Sequence, residues 1–120
     1  MAILREWRAE IRRSEKQAYV DYVRSTGFDD YQKTPGNLFA LIVTRDIDMN
    51  RSEVVTLSGW DTWDAVRKFA GPNPERARYY PTDDQYLLTR PDSVAHYEIH
   101  GIQIEALAKL GESGRIGELG

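Results

Sequence analysis

Apolar and polar positions first alternate over Ile3–Ala9. Ile3, Arg5, Trp7 and Ala9 fall on one face and Leu4, Glu6 and Arg8 on the other, which predicts a strand. The spacing then becomes helical. Ser14, with Glu15, Lys16 and Gln17 behind it, opens a helix with an apolar stripe of Ala18, Tyr19, Tyr22, Val23 and Thr26. Gly27 is a natural residue to end it. Phe28–Lys33 reads as a polar connector, and Thr34-Pro35-Gly36-Asn37 has Pro and Gly where a type II turn wants them. Leu38–Thr44 is an almost continuous apolar strand, followed by a charged hairpin loop over Arg45–Ser52.

The stretch Glu53–Ala70 organises the remainder. Val54, Val55, Thr56 and Leu57 suit a pleated surface, and the period changes at Trp60. Asp61 is a good N-cap, with Asp64 three residues on as its capping-box partner. Trp63, Val66, Phe69 and Ala70 then recur at helical spacing. Gly71-Pro72-Asn73-Pro74 halts that helix. One further turn is expected over Glu75–Tyr80, a loop at Pro81–Asp84 and a short apolar patch at Tyr86–Leu88. Val94–Ile99 alternates as a last strand. The domain is read as 1–101, and 102–120 as a tail: a short helix over Ile102–Leu110, then a frayed, disordered Gly111–Gly120 with four glycines.

The order β-α-β-β-α-β predicts a ferredoxin-like α+β fold with an antiparallel sheet. Two helices cover one face of four strands, yet Leu38–Thr44 is apolar on both faces. A second copy, sheet against sheet, is the simplest cover, so a homodimer is expected.

Composition narrows the function classes. The 120 residues make one domain. A net charge of −3 offers no electrostatic case for nucleic acid or an anionic membrane. The absence of cysteine excludes disulfides, thiolate metal sites and cysteine nucleophiles. Charges run through the apolar residues of Met1–Arg13, unlike a signal peptide or a membrane span, and a cytoplasmic location is expected. No glycine-rich phosphate loop, GxSxG or HExxH occurs. His96 and His100 would share a strand face about 13 Å apart at about 3.3 Å per residue, too far for one metal ion.

The run TLSGWDTWDAVRKFA (56–70) resembles the strand–Trp–helix motif of the antibiotic biosynthesis monooxygenase-like family, within the dimeric α/β-barrel superfamily. VAHYEI (94–99) is similar to its final strand, and TPGNLFALIV (34–43) to its second. The resemblance covers Ile3 to Ile99. It implies a pocket between helices and sheet that takes a small aromatic molecule, with Trp60 in the lining and Trp7 at the first-strand position. It implies no cofactor for the members that oxidise aromatics with O2. Haem-degrading members have an asparagine at the Trp7 position and an axial histidine after the second helix. Here Arg76–Tyr80 carries tyrosines instead.

Trp7 and Trp60 are thus either core plugs or pocket walls. His96 and Tyr97 point to opposite faces of the last strand, and a histidine turned into a pocket is a candidate general base. His100 is expected to be exposed. Tyr79 and Tyr80, with Asp83 and Asp84, form a packed loop or a lid whose phenols hydrogen-bond a substrate oxygen. Tyr22 is a candidate to reach the pocket from the first helix. Arg5, on the Trp7 face, should meet a carboxylate such as Asp83 or Asp84, or an anionic ligand. The reading is a cofactor-independent monooxygenase that forms a substrate carbanion. The alternatives are a non-catalytic dimeric binding or accessory protein, and a haem binder.

Overall fold

The computed structural model describes residues 1–103. The helix expected over Ile102–Leu110 and the rest of the tail therefore lie, beyond residue 103, outside the described residues. Four strands, β1 (Ile3–Arg12), β2 (Asn37–Asp46), β3 (Arg51–Trp60) and β4 (Ala95–Glu98), form one sheet in the order β2-β3-β1-β4. Every neighbouring pair is antiparallel. Helices α1 (Lys16–Ser25) and α2 (Gly27–Lys33) follow β1, and α3 (Trp63–Ala70) follows β3. This is the expected ferredoxin-like α+β fold.

Period-2 alternation places Ile3, Arg5, Trp7, Ala9 and Ile11 on the helix-facing side of central β1, and all five are buried. Opposite them on β3 stand Trp60, Ser58, Thr56, Val54 and Ser52. On the outer side Arg8 pairs with Glu6 at 3.0 Å and Glu53 at 3.4 Å. Gly36 has a φ of +91°, and the Asn37 N–H donates to the Thr34 carbonyl at 3.2 Å, as the turn chemistry requires.

Up to the start of α3, three local expectations need correction. Phe28–Lys33 is not a connector but most of α2, because Phe28 and Tyr31 supply an apolar face that packs on Trp60 and Phe69. Gly27 accordingly starts a helix rather than closing one, the break falling at Thr26 (φ −118°, ψ −94°). The N-cap of α3 is Thr62, whose hydroxyl accepts from the Ala65 N–H at 3.1 Å. Asp61 is taken up one residue earlier, its N–H donating to the Gly36 carbonyl at 2.9 Å.

Between α3 and β4 the chain runs largely without helix, contrary to the turn expected over Glu75–Tyr80. It forms a strap pinned by bridges Arg76↔Ser93 and Ile11↔Leu87 and by a 3-10 turn at Asp83–Gln85. The strap packs Tyr79, Tyr86 and Leu87 against the core at the α1 end of the sheet. Among the described residues no helix is long and apolar enough to cross a membrane.

Candidate functional site

The helix-facing side of the sheet is not apolar throughout. A polar band of Arg5, Ser58 and Thr56 crosses β1 and β3, all three side chains being buried. It separates one apolar cluster, around Ile3, Trp60, Val66 and Phe69, from another around Trp7, Ile11, Tyr19 and Val54. A cavity opens over this band and draws its walls from both clusters. Arg5, Trp7 and Thr56 come from the sheet, Tyr19 and Val23 from α1, Tyr31 from α2 and Phe69 from α3; Arg78, Tyr80 and Asp83 close it from the strap. The volume enclosed for water-sized molecules is about 40 Å³, within about 450 Å³ of space between atoms that includes the open mouth. That is narrow for a polycyclic ligand and adequate at the mouth for a small flat one.

One side of the cavity is basic. Arg5 is 3% exposed. Its Nη1 faces the Pro74 carbonyl and donates to His96 Nε2 at 3.1 Å, while Nη2 donates to the Arg76 carbonyl at 3.0 Å. All three partners are neutral, so the expected carboxylate, Asp83 or Asp84, does not pair with Arg5. Burial, being unfavourable to charge, lowers the Arg5 pKa from its usual value. Arg78 lies 4.9 Å from the centre of the Phe69 ring and Arg5 5.7 Å. Unlike Arg5, Arg78 has a carboxylate partner, Asp30, at 3.2 Å.

The other side is acidic. Asp83 is buried, with Oδ1 accepting from the Tyr19 hydroxyl at 3.0 Å and Oδ2 from the Tyr80 N–H at 2.6 Å. Desolvation raises its pKa despite these two donors. The Tyr19 and Tyr80 phenols are themselves pushed up, chiefly by burial and then by their carboxylate partners Asp83 and Asp30. Both therefore stay protonated hydrogen-bond donors at neutral pH. An enclosed carboxylate with a raised pKa is better matched to proton abstraction near pH 7 than an ordinary surface one.

Of the residues singled out from sequence, Arg5, Trp7, Tyr80 and Asp83 line the cavity. Trp60 does not: it is wholly buried in the apolar cluster beside Tyr31 and Phe69, and its indole N–H donates to Ser58 Oγ at 2.9 Å. Tyr79 stands behind Trp7, accepting from its indole N–H at 3.3 Å and donating to the Pro91 carbonyl at 2.5 Å. Tyr22 packs on Tyr19 and Tyr86, and its hydroxyl accepts from the Thr82 N–H at 3.1 Å. His96 faces the helices, as half of the expectation had it, because it pairs across from Arg5. It nonetheless lies outside the cavity lining, against the Trp63 ring at 5.0 Å. Burial and the Arg5 charge hold its pKa down to about 4, and Arg5 occupies the Nε2 lone pair.

Tyr19, Tyr31 and Arg78 also line the cavity without a sequence signal that marks them as site residues. The helical stripe marks Tyr19 only as core, Tyr31 lies in the polar-looking Phe28–Lys33, and no period marks Arg78, which stands in the strap. Among the described residues no group of three or more His, Asp or Glu side chains is placed to hold a metal ion.

No family model matches the sequence, and no curated protein does. Solved structures do. A candidate antibiotic biosynthesis monooxygenase from Bacillus cereus superposes with a TM-score of 0.60 at 11% identity, over 85% of this chain and 96% of that one. A second candidate of the same name, from Nitrosomonas europaea, gives 0.60 at 13% identity, over 82% and 90%. Such low identities carry the backbone arrangement and nothing finer. The chain therefore has the ferredoxin-like fold shared by these antibiotic biosynthesis monooxygenase structures.

Proposed function

We propose that the cavity binds a small aromatic molecule with an acidic C–H and that the protein oxidises it with O2 without a cofactor. The observation that carries this reading is the pairing, in one cavity, of a buried carboxylate of raised pKa with a buried guanidinium that meets only neutral partners. Trp7, Tyr31 and Phe69 hold the flat body of the substrate. Asp83 removes a proton from a ring methylene, Arg78 stabilises the resulting anion, and Arg5 holds the bound molecule in place. The carbanion transfers an electron to O2, and the radical pair recombines to a peroxide anion, which takes the proton back from Asp83. Loss of water from the hydroperoxide leaves a carbonyl. One oxygen atom ends in the product and the other in water.

The test is oxygen uptake by the purified protein, in the presence of a chelator, across one- and two-ring hydroxyaromatics with acidic C–H positions. At least 100-fold acceleration over the spontaneous rate is expected for the best of them. No acceleration, or acceleration abolished by the chelator, overturns the reading. A second reading, a non-catalytic binding protein, is favoured by the narrow enclosed volume and by the two hydrogen bonds already held by Asp83. Saturable binding without oxygen uptake supports it.

The same reading includes a homodimer. Leu41, Val43, Leu57, Leu4 and Tyr97 lie on the sheet face away from the helices, with Val43 45% and Tyr97 50% exposed. At one end Arg8 and Arg45 are balanced by Glu6 and Glu53, so two such faces meet without net repulsion. Sedimentation at micromolar concentration is expected to give twice the chain mass, and Leu41→Glu to return the monomer. A wild-type monomer at that concentration removes the dimer.

A further inference from the structure

We propose that the substrate carries a permanent carboxylate that docks on Arg5, so that the cavity selects aromatic acids over neutral aromatics of the same shape. This rests on the pocket reading above and names the substrate class within it. Arg5 is 3% exposed, yet among the described residues its partners are two backbone carbonyls and a neutral imidazole. A guanidinium has five N–H donors, and these contacts use three. A buried cation without a counter-ion is costly, and truncating or mispairing such groups is among the larger effects known in proteins. The protein as a whole is acidic, with a net charge of −3, so a lone buried cation is not part of a general basic surface.

The neighbouring groups favour the same occupant. Arg78, the other guanidinium of the cavity, already meets Asp30 at 3.2 Å and supports only a transient charge. Among the described residues Arg5 has no such partner. His96 is held neutral with its Nε2 accepting from Arg5, so it orients the guanidinium without competing for the anion. The planar donor fork of an arginine matches a carboxylate in two parallel hydrogen bonds. Phe69, within 5.7 Å of the Arg5 guanidinium, and Trp7 on the same strand face supply rings for the aromatic body. With its carboxylate on Arg5, a substrate turns its other end toward the Asp83 side of the cavity.

Three tryptophans give three indole N–H signals in a heteronuclear NMR spectrum, and Trp7 alone lines the cavity. Benzoate and benzamide, planar and alike in size, are titrated into the full chain at pH 7. Benzoate is expected to shift the Trp7 signal, leaving Trp60 and Trp63 in place, with a Kd at least tenfold below that of benzamide. Arg5→Gln, checked for folding by its unchanged Trp60 signal, is expected to erase the difference. The wild-type comparison stands even if that variant does not fold. Equal affinities, or no shift of Trp7 by benzoate, overturn the proposal and leave the oxygenase reading to its own assay. Selective benzoate binding by a protein that never consumes oxygen keeps the anion site and removes the oxygenase.

Discussion

Trp60→Ala is expected to lower the free energy of unfolding by about 3–5 kcal/mol, the cost of deleting a large aromatic from a packed core. Trp60 has no exposed surface and touches the rings of Tyr31, at 6.1 Å between centroids, and Phe69, at 5.5 Å. Removing it takes away the wall common to α2, α3 and the end of β3, and orphans the Ser58 hydroxyl that accepts its indole N–H. A domain of this size holds roughly 5–15 kcal/mol in total, so the variant sits near the edge of folding. Urea unfolding measures it. A loss below 1 kcal/mol would show that Trp60 is a pocket wall with space behind it and not a core plug.

Asp83→Asn is expected to reduce oxygen uptake on the best substrate by about 10²–10⁴-fold, the usual contribution of a placed general base. The substitution is mild in structure. The new amide oxygen accepts from the Tyr80 N–H, and the Tyr19 hydroxyl rotates to accept from the amide nitrogen. Substrate affinity should change far less than turnover, because the base acts on a proton and not on the body of the ligand. The wild-type rate should also fall as pH drops through the raised Asp83 pKa, since the protonated carboxyl accepts nothing. A variant that keeps full turnover, or a rate flat across that range, places the base elsewhere. His96→Gln is the companion variant: with its Nε2 bound to Arg5 and its pKa near 4, it should leave that pH limb where it was.

Several site residues were legible because strand geometry is local. Period 2 places Arg5 beside Trp7, and a buried arginine on a strand demands an anion by elementary electrostatics. Asp83 and Tyr80 belong to an unusual polar–aromatic cluster that is visible in the sequence itself. Trp60 carried two readings, plug or wall, which no pattern separates, since both require a large ring at the strand end. Its complete burial under Tyr31 and Phe69 separates them. Tyr31 is illegible in the sequence for a related reason. The six residues Phe28–Lys33 are too few to display a helical stripe, and α2 forms only because Phe28 and Tyr31 find the α3 side of the core.

Backbone periods and one residue's permitted dihedrals make the order of the four strands, the two faces of β1 and the turn at Gly36 readable from the amino-acid pattern alone, whereas α2 is not. The same pattern leaves one sheet face without a helical cover among the described residues. Long-range packing is what makes Arg5 meet carbonyls and His96 in place of a carboxylate, keeps His96 outside the cavity, and sets Arg78, Tyr19 and Tyr31 at its walls. These depend on how an aperiodic strap crosses the sheet, and the strap's course is set by long-range contacts such as Ile11 with Leu87. Hydrophobic periodicity encodes which way a residue faces, but not which distant residue it will face.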